Sequence, residues 1–542
     1  MQNKMKKKEK VDSTEKEILD PEEGTLSSTI VSLISKDVSE FIQDEYGSPH
    51  IVLIDSKGKN RLYRIKSKQF GDYVSYVAWK KMERAISPGV KSNVIATFEA
   101  KAMFEGGKVN LHLRTAFTDK ALWYDLGGGR VVKITSAGWE VKENEGIYFR
   151  SFNHQKIQVD PDPKGDFECL FKYLRFEKQK EKIYKTLIKA YIVSSLIPDI
   201  PRPILTVHGQ AGSAKSTLCK IIKKLVDPSW VEILTYPKNP KDFIQILSHH
   251  FFAFFDNLSY LTTDQSDQLC RVCTGDGFIK RTLYTDDEDT LYHYKRLVGL
   301  NGVTLVGSKP DLLDRCLIIE LEPISDKDRI HEDKFWKDFE IDQSKILGGM
   351  FSLLSEAMLL LEEDKIELKE KPRLADFAFW GAAITVASGG TTEEFVEAYK
   401  ANINSQTEEA VENNSLAQTI ISYMDGQDCV TESAKDLFNI LFFKAQDLGL
   451  VPSPTFPKSV ETLWKKIKVI KSVLIKRGIT CSYNQNDRPR TITIANVGLI
   501  QEVLSETQET ETVSKEEEKK ESKSDGEKPI WWRSGPGIDK KS

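Results

Sequence analysis

The period of apolar and polar positions changes several times along the chain. Thr25–Tyr46 carries Ile30, Leu33, Ile34, Val38, Phe41 and Ile42 at helical spacing and predicts an amphipathic helix. From His50 to Phe152 short alternating runs take over, at Ile51–Ile54, Arg61–Ile65, Lys108–Leu113, Ala121–Leu126, Val131–Ile134 and Ile147–Phe152, interrupted by a helix over Tyr76–Arg84. Glycine turns such as Gly106-Gly107 and Gly127-Gly128-Gly129 separate the runs, which predicts a strand-rich α+β domain. Its aromatics Trp123, Tyr124, Trp139 and Phe149 lack interleaved basic residues and read as core. Asp166–Leu196 predicts one long amphipathic helix, stopped by Pro198 and Pro201-Arg202-Pro203.

Ile204–Val226 is the stretch around which the rest is organised. The strand formers Ile204, Leu205, Thr206 and Val207 lead into Gly209, Gln210, Ala211, Gly212, Ser213 and Ala214. Lys215, Ser216 and Thr217 then open a helix with Leu218, Ile221, Ile222 and Leu225 at helical spacing. A buried strand, a turn of small residues and a helix N-terminus make an anion cradle, because free amides and the helix dipole point at one place. That place suits the triphosphate of ATP, with Lys215 on the β and γ phosphates and the Ser216 hydroxyl on Mg²⁺. Ala214 stands where G-x-x-x-x-G-K-[ST] has its last glycine, and a methyl is tolerated there at negative φ.

Downstream, Asp242–Ser248 predicts a helix, and the apolar run Phe251–Phe255 ending in Asp256 predicts a central parallel strand. Asp256 at its carboxyl end is the candidate Walker B acid, holding the Mg²⁺ water shell. Asn257 follows it where many such ATPases place a second acid; an amide takes no proton, so the general base stays open. Asp264–Gly275 predicts a helix with Asp264 as N-cap, and Lys280–Arg296 a hairpin with arms Lys280–Tyr284 and Leu291–Arg296 and an acidic tip at Asp286–Asp289. Leu297–Asn301 is a further apolar strand whose terminal Asn301 suits a γ-phosphate sensor, although Asn301-Gly302 also suits a plain turn. Arg315, ahead of the strand Cys316–Leu321, is placed to act as an arginine finger on a neighbouring subunit; pairing with Asp314 is the alternative.

Asp333–Leu361 is helical and predicts a lid, with Phe379 and Trp380 packing its core. Ala417–Val497 predicts three helices and two strands, a winged-helix pattern. The final helix, within Phe456–Gly478, has Val460, Leu463, Trp464, Ile467, Ile470 and Leu474 on one face, and Ile479–Tyr483 and Arg490–Ile494 are the wing arms. Charge sharpens this reading. The whole chain has a formal net charge of −4, yet Val451–Arg490 holds nine basic residues against two acidic ones. Lys465, Lys466 and Arg488 are therefore the expected phosphate contacts, with protein docking as the alternative role of the module.

At 542 residues the chain is too long for one core. The expected division is 1–24 disordered, 25–160 α+β, 161–202 helical adaptor, 203–330 ATPase core, 331–410 lid, 411–500 winged helix and 501–542 disordered. The sequence shows no long apolar run and no signal peptide, so the expectation is a cytoplasmic protein without a membrane partner. Seven scattered cysteines form no disulfide framework, and the Cys270–Cys273 pair has no companion ligands. In the tail, Pro529-Ile530-Trp531-Trp532-Arg533 suits docking to a partner protein.

The strings GQAGSAKST (Gly209–Thr217), FDNLS (Phe255–Ser259), TGDGFIKRTLYTDDED (Thr274–Asp289), LNGV (Leu300–Val303), PDLLDRCLIIEL (Pro310–Leu321) and PRLADFAFWGAAI (Pro372–Ile384) together resemble superfamily 3 helicases of the AAA+ class, in the primase-associated form of phages and mobile elements. WYDLGGGRVVKITSAGWEV at Trp123–Val141 is similar to the domain that precedes such ATPases. The resemblance implies an α/β P-loop core with a parallel sheet, a homo-hexameric ring with ATP between subunits, and a pore hairpin that grips single-stranded or forked DNA. It also implies a sensor 2 role for Arg373. The acidic hairpin tip repels phosphate, so Lys280, Arg281, Lys295 and Arg296 near the base are the better DNA contacts, or else a solvated rim. Two rivals stand beside the motor. One is a non-translocating switch, such as an initiator, loader or defence protein, and the other a small-molecule P-loop kinase.

Overall fold

The computed structural model describes residues 21–56, 58–258, 261–275, 277–281, 289–293, 295–302, 310–369, 372–412, 414–453, 455–484 and 489–497. The chain divides into two compact units, one formed by residues up to 112 with 146–151, the other by 113–145 with 152 onward.

In the first unit the elements run α1 (Pro21–Ser35), β1 (Val38–Gln43), β2 (Pro49–Ile54), β3 (Asn60–Arg64), α2 (Lys68–Met82), α3 (Pro88–Glu105) and β4 (Gly107–Lys108). The sheet order is β3-β2-β1-β4, with β1 antiparallel to β2 and parallel to β4. The helix expected over 25–46 therefore ends at Ser35, and Val38, Phe41 and Ile42 belong to a strand. Sheet pairing on both edges of β1 overrides a spacing that also fits a helix. A third helix, α3, was not legible; Ser87 caps it, its hydroxyl accepting from the Val90 N–H, with Pro88 in its first turn. Residues 109–113 and 147–152, expected as strands, make one isolated bridge among the described residues, His112 with Phe149.

The second unit opens with an antiparallel sheet of β5 (Thr115–Thr118), β6 (Ala121–Gly127), β7 (Arg130–Thr135) and β8 (Gly138–Glu143) in sequential order. This sheet packs with the downstream helices, so the boundary expected near residue 160 falls at 113 instead. Buried Tyr124 packs against Phe351 with ring centres 5.4 Å apart and the planes tilted by 52°, and Trp139 donates to Ser352 Oγ at 3.0 Å. Burial of Trp123, Tyr124 and Phe149 agrees with their reading as core. A 3₁₀ turn at Phe167–Tyr173 precedes α4 (Glu181–Ser194), so the single long helix expected there is two pieces separated by 174–180.

The central sheet follows. Its strands are β9 (Ile204–His208), β10 (Phe252–Phe255), β13 (Leu297–Gly302) and β14 (Cys316–Glu320), all parallel and ordered β10-β13-β9-β14. Nearly every residue of these strands is buried, which is why each reads as an unbroken apolar run. Between and after them come α5 (Lys215–Val226), α6 (Pro240–His249), α7 (Thr263–Thr274), the hairpin β11 (Gly277–Arg281) and β12 (Asp289–His293), and α8 (Pro310–Leu313). Thr262, not Asp264, caps α7, in a reciprocal capping box with Gln265. The helices α9 (Glu332–Glu362), α10 (Ala375–Ala387) and α11 (Thr392–Glu412) close the core. α9 is long and apolar enough to cross a membrane, but 61% of its apolar window is buried inside the protein, as expected of a core helix.

A separate cluster centred on Leu441, Leu463, Ile467 and Ile494 joins α12 (Ser415–Met424), β15 (Cys429–Ser433), α13 (Ala434–Asp447), α14 (Val460–Lys476), β16 (Ile479–Asn484) and β17 (Thr491–Asn496). Its antiparallel sheet is ordered β15-β17-β16. The expected three helices and two wing arms are present, and β15 is an additional strand.

Candidate nucleotide site

Residues 209–214, the candidate phosphate loop, are held by backbone geometry that leaves little room for side chains. A Cβ on Gly209, at φ +143°, would lie 2.2 Å from the Leu321 carbonyl oxygen, so this position admits only glycine. Gly212 has φ +82°, and its carbonyl accepts from the Ile324 N–H at 3.1 Å. Ala214 has φ 57° and ψ 27°, in the left-handed region, immediately before α5. The expectation of a tolerated methyl assumed negative φ; the chain instead keeps a glycine-type conformation on an alanine, at a cost of about 1–2 kcal/mol.

Lys215 is the first residue of α5. Its ammonium donates to the carbonyls of Gly209 and Gln210, each at 2.7 Å, and stands 3.4 Å from Ser213 Oγ. Burial lowers its pKa from the ordinary lysine value, against the opposing pull of Asp256. One residue on, Ser216 Oγ donates to Asp256 Oδ2 at 3.2 Å. From the neighbouring strand, Asn301 Nδ2 donates to Asp256 Oδ1 at 2.6 Å and to Ser216 Oγ at 3.3 Å. Asn301 is only 1% exposed, and its side-chain oxygen is buried without a hydrogen-bond partner among the described residues. Asn257, at φ 57°, enters the group through its backbone N–H, which donates to Asp256 Oδ1 at 2.7 Å; the residue itself is exposed.

Three residues separated widely in sequence thus meet where the loop, β10 and β13 end. The amides at the start of α5 offer a place for phosphate. Ser216 Oγ and Asp256 Oδ2 offer one hydroxyl and one carboxylate, a set that suits Mg²⁺, which keeps most of its waters and takes few protein oxygens. No cluster of three or more His, Cys, Asp or Glu ligands occurs among the described residues, so nothing here suits a metal held entirely by protein.

Arg315 and Arg373 are brought together, but not on this group. The Arg315 guanidinium pairs with Asp311 Oδ1 at 2.5 Å, and Arg373 reaches the same oxygen at 2.8 Å and Asp314 at 3.6 Å. Burial would raise the Asp311 pKa, but the two guanidiniums overcome it and hold it below the ordinary value. Asp314 also receives Lys476 of α14 at 2.5 Å. The sequence reading gives Asp311 no role, although its i,i+4 spacing to Arg315 is a readable signal. Arg329 was missed too: its guanidinium lies 3.4 Å from where a Cβ on Gly212 would be, and the polar loop that delivers it has no motif.

Of the expected DNA contacts, Lys295 donates to the Asp199 carbonyl at 2.7 Å and Arg296 to the Leu247 carbonyl at 3.0 Å, so both brace the base of the hairpin. Lys465 is exposed on α14 and Lys466 is half-buried. Lys280 and Arg281 lie on β11, but their side chains, with Arg488, most of the acidic tip and the Trp531-Trp532 segment, lie outside the described residues. Cys270 and Cys273 lie on α7, where the Cys273 thiol donates to the Arg202 carbonyl.

Residues 169–409 match the family model described as the actinomycete integrative conjugative element replication protein, and residues 416–511 match that of the RepA C-terminal domain of such elements. No curated protein matches the chain. Among solved structures it is similar to the NrS-1 C-terminal region in an A form apo structure, at 9% identity and TM-score 0.34 over 87% of this chain and 98% of that one. A second A form apo structure of the same region gives 12% identity and TM-score 0.36 with the same coverage. Likeness at these TM-scores is too weak to bear on fold or activity. The two family models follow one another along the chain as the parts of one protein, and the chain is a replication protein of the integrative conjugative element type.

Proposed function

We propose that this replication protein is an ATP hydrolase that moves DNA, working as a hexameric ring helicase of the superfamily 3-like AAA+ class in the cytoplasm. The meeting of Ser216, Asp256 and Asn301 at the end of the phosphate loop carries this reading. The sheet adds support, since β13 lies between β9 and β10 and a bridge at Leu234 runs parallel to Phe255 on the far side of β10. That order puts the sensor strand between the loop strand and the acid strand.

In this reading the loop amides bind the β and γ phosphates of ATP, and Lys215 exchanges the Gly209 and Gln210 carbonyls for phosphate oxygens. Mg²⁺ held by Ser216 and Asp256 supplies charge neutralisation. Asn301 keeps the Asp256 carboxylate fixed through Nδ2, and its Oδ1, unpartnered among the described residues, accepts from the attacking water and orients it. Arg315 acts in the neighbouring subunit after leaving Asp311, and Arg373 shares that acid. Lys465, Lys466 and Arg488 hold DNA phosphates, and the 529–533 segment docks a primase or replisome protein.

A non-translocating switch is the second reading, favoured by Asn257 in place of an acid and by the acidic Asp286–Asp289 sequence. Steady-state ATP hydrolysis, with and without single-stranded DNA, separates the two. The motor predicts DNA-stimulated turnover, dead Lys215→Ala and Arg315→Ala variants, and partial rescue on mixing them, because the shared site then pairs an intact loop with an intact finger. Turnover that ignores DNA and stays linear in protein concentration sinks it and leaves the switch.

A further inference from the structure

The first unit carries a surface that none of this explains. Helix α2 buries Phe70, Val74, Val77 and Ala78, and turns Tyr76, Trp79 and Lys80 outward at helical spacing. Tyr76 is 53% exposed and Trp79 61%. The Lys80 ammonium lies 5.3 Å from the centre of the Tyr76 ring. Lys81 and Arg84 are exposed beside them, and no ion pair joins Lys80, Lys81 or Arg84 to an acid among the described residues. Two acids are near: Asp72, one turn earlier, faces Lys91 at 3.9 Å, and Glu83 follows the helix.

The helix C-terminus explains the lysines, since positive charge there complements the dipole. It does not explain two large aromatics left in water, each forgoing roughly 1.5–3 kcal/mol of burial. Two exposed rings one turn and about 4.5 Å apart along the axis, followed by cations at the helix end, match what unpaired bases on a phosphate chain offer. A duplex hides its base faces and an acidic protein has none. We propose that the Tyr76–Lys81 face of α2, with Arg84 just past the helix end, binds single-stranded nucleic acid, stacking bases on Tyr76 and Trp79 and taking phosphates on Lys80, Lys81 and Arg84. A replication protein handles such strands, and this face belongs to the first unit, whereas the basic C-terminal module belongs to the second.

The test is fluorescence anisotropy of labelled oligothymidylate with the full-length protein, without ATP, in the Lys465→Ala/Lys466→Ala background. Binding without nucleotide gives an outcome independent of whether the chain hydrolyses ATP. Tyr76→Ala/Trp79→Ala should weaken binding about tenfold or more and change binding of an abasic strand much less. Lys80→Glu/Lys81→Glu should weaken both and flatten the salt dependence. All four positions are exposed, and circular dichroism checks that the fold is kept. Unchanged affinity in the aromatic variant, equal losses for the abasic strand, or a preference for duplex of the same length would each overturn the proposal.

Discussion

Asn301 Nδ2 lies 2.6 Å from Asp256 Oδ1, so the last polar residue of one central strand fixes the carboxylate at the end of the next. Asn301→Ala removes that donor and leaves the phosphate loop intact. Turnover should fall about 10²-fold or more, as when a donor is lost from a preorganised polar site. ATP binding should change little. Single-turnover hydrolysis beside equilibrium binding separates the two, and a parallel loss of both would make Asn301 a structural brace only.

Ala214 holds φ 57° at the mouth of α5. Ala214→Gly removes a left-handed strain of about 1–2 kcal/mol and adds back about 0.4–1 kcal/mol of unfolded-state entropy. A net gain on the order of 0.5 kcal/mol is expected in the urea midpoint, while Ala214→Val should lose stability. If glycine lowers the midpoint, the alanine is not strained.

The strands that build this site were legible because each is buried on both faces and written as an apolar run closed by a polar residue: Phe252–Phe255 before Asp256, Leu297–Leu300 before Asn301. Burial on both faces left no ambiguity of period. β1 was not legible, since Val38, Phe41 and Ile42 also suit a helix and only pairing with β2 and β4 decides between them. The partners of Arg315 were half legible. Asp314 stands next to it in sequence, yet Asp311, one helical turn back, takes the guanidinium. The packing of residues 113–145 against α9 could not be read at all, because Trp139 and Ser352 lie 213 positions apart.

Asp227 is 1% exposed and accepts from Lys223 at 2.6 Å, Arg114 at 3.2 Å and the Phe252 N–H at 3.1 Å, tying the β5–β8 sheet to α5 and β10. Burial would raise its pKa, but Lys223 and Arg114 hold it far below the ordinary value. Asp227→Asn strands two buried cations and should cost about 3–5 kcal/mol. Because the folded pKa is depressed, this stabilisation is complete above the unfolded value and is lost as pH falls below about 4. Urea denaturation of wild type and variant across that range should show the gap narrowing in acid.

His154 and His250 stack at 3.9 Å between ring centres, with His154 Nε2 and His250 Nδ1 buried without hydrogen-bond partners among the described residues. Burial lowers their pKa values to about 4 and about 3, aided in both by the Lys223 charge and opposed by Asp227. The folded pair stays neutral where unfolded histidines, near pKa 6.5, take up protons. Stability contributed by the pair is therefore full above about pH 6.5 and falls as pH drops toward 4. A chain with His154→Phe and His250→Phe together should lose stability less steeply over that window, read from urea midpoints at a series of pH values. If both chains fall in parallel, protonation of this pair does not set acid sensitivity there, and carboxylates such as Asp227, which act at lower pH, carry it instead.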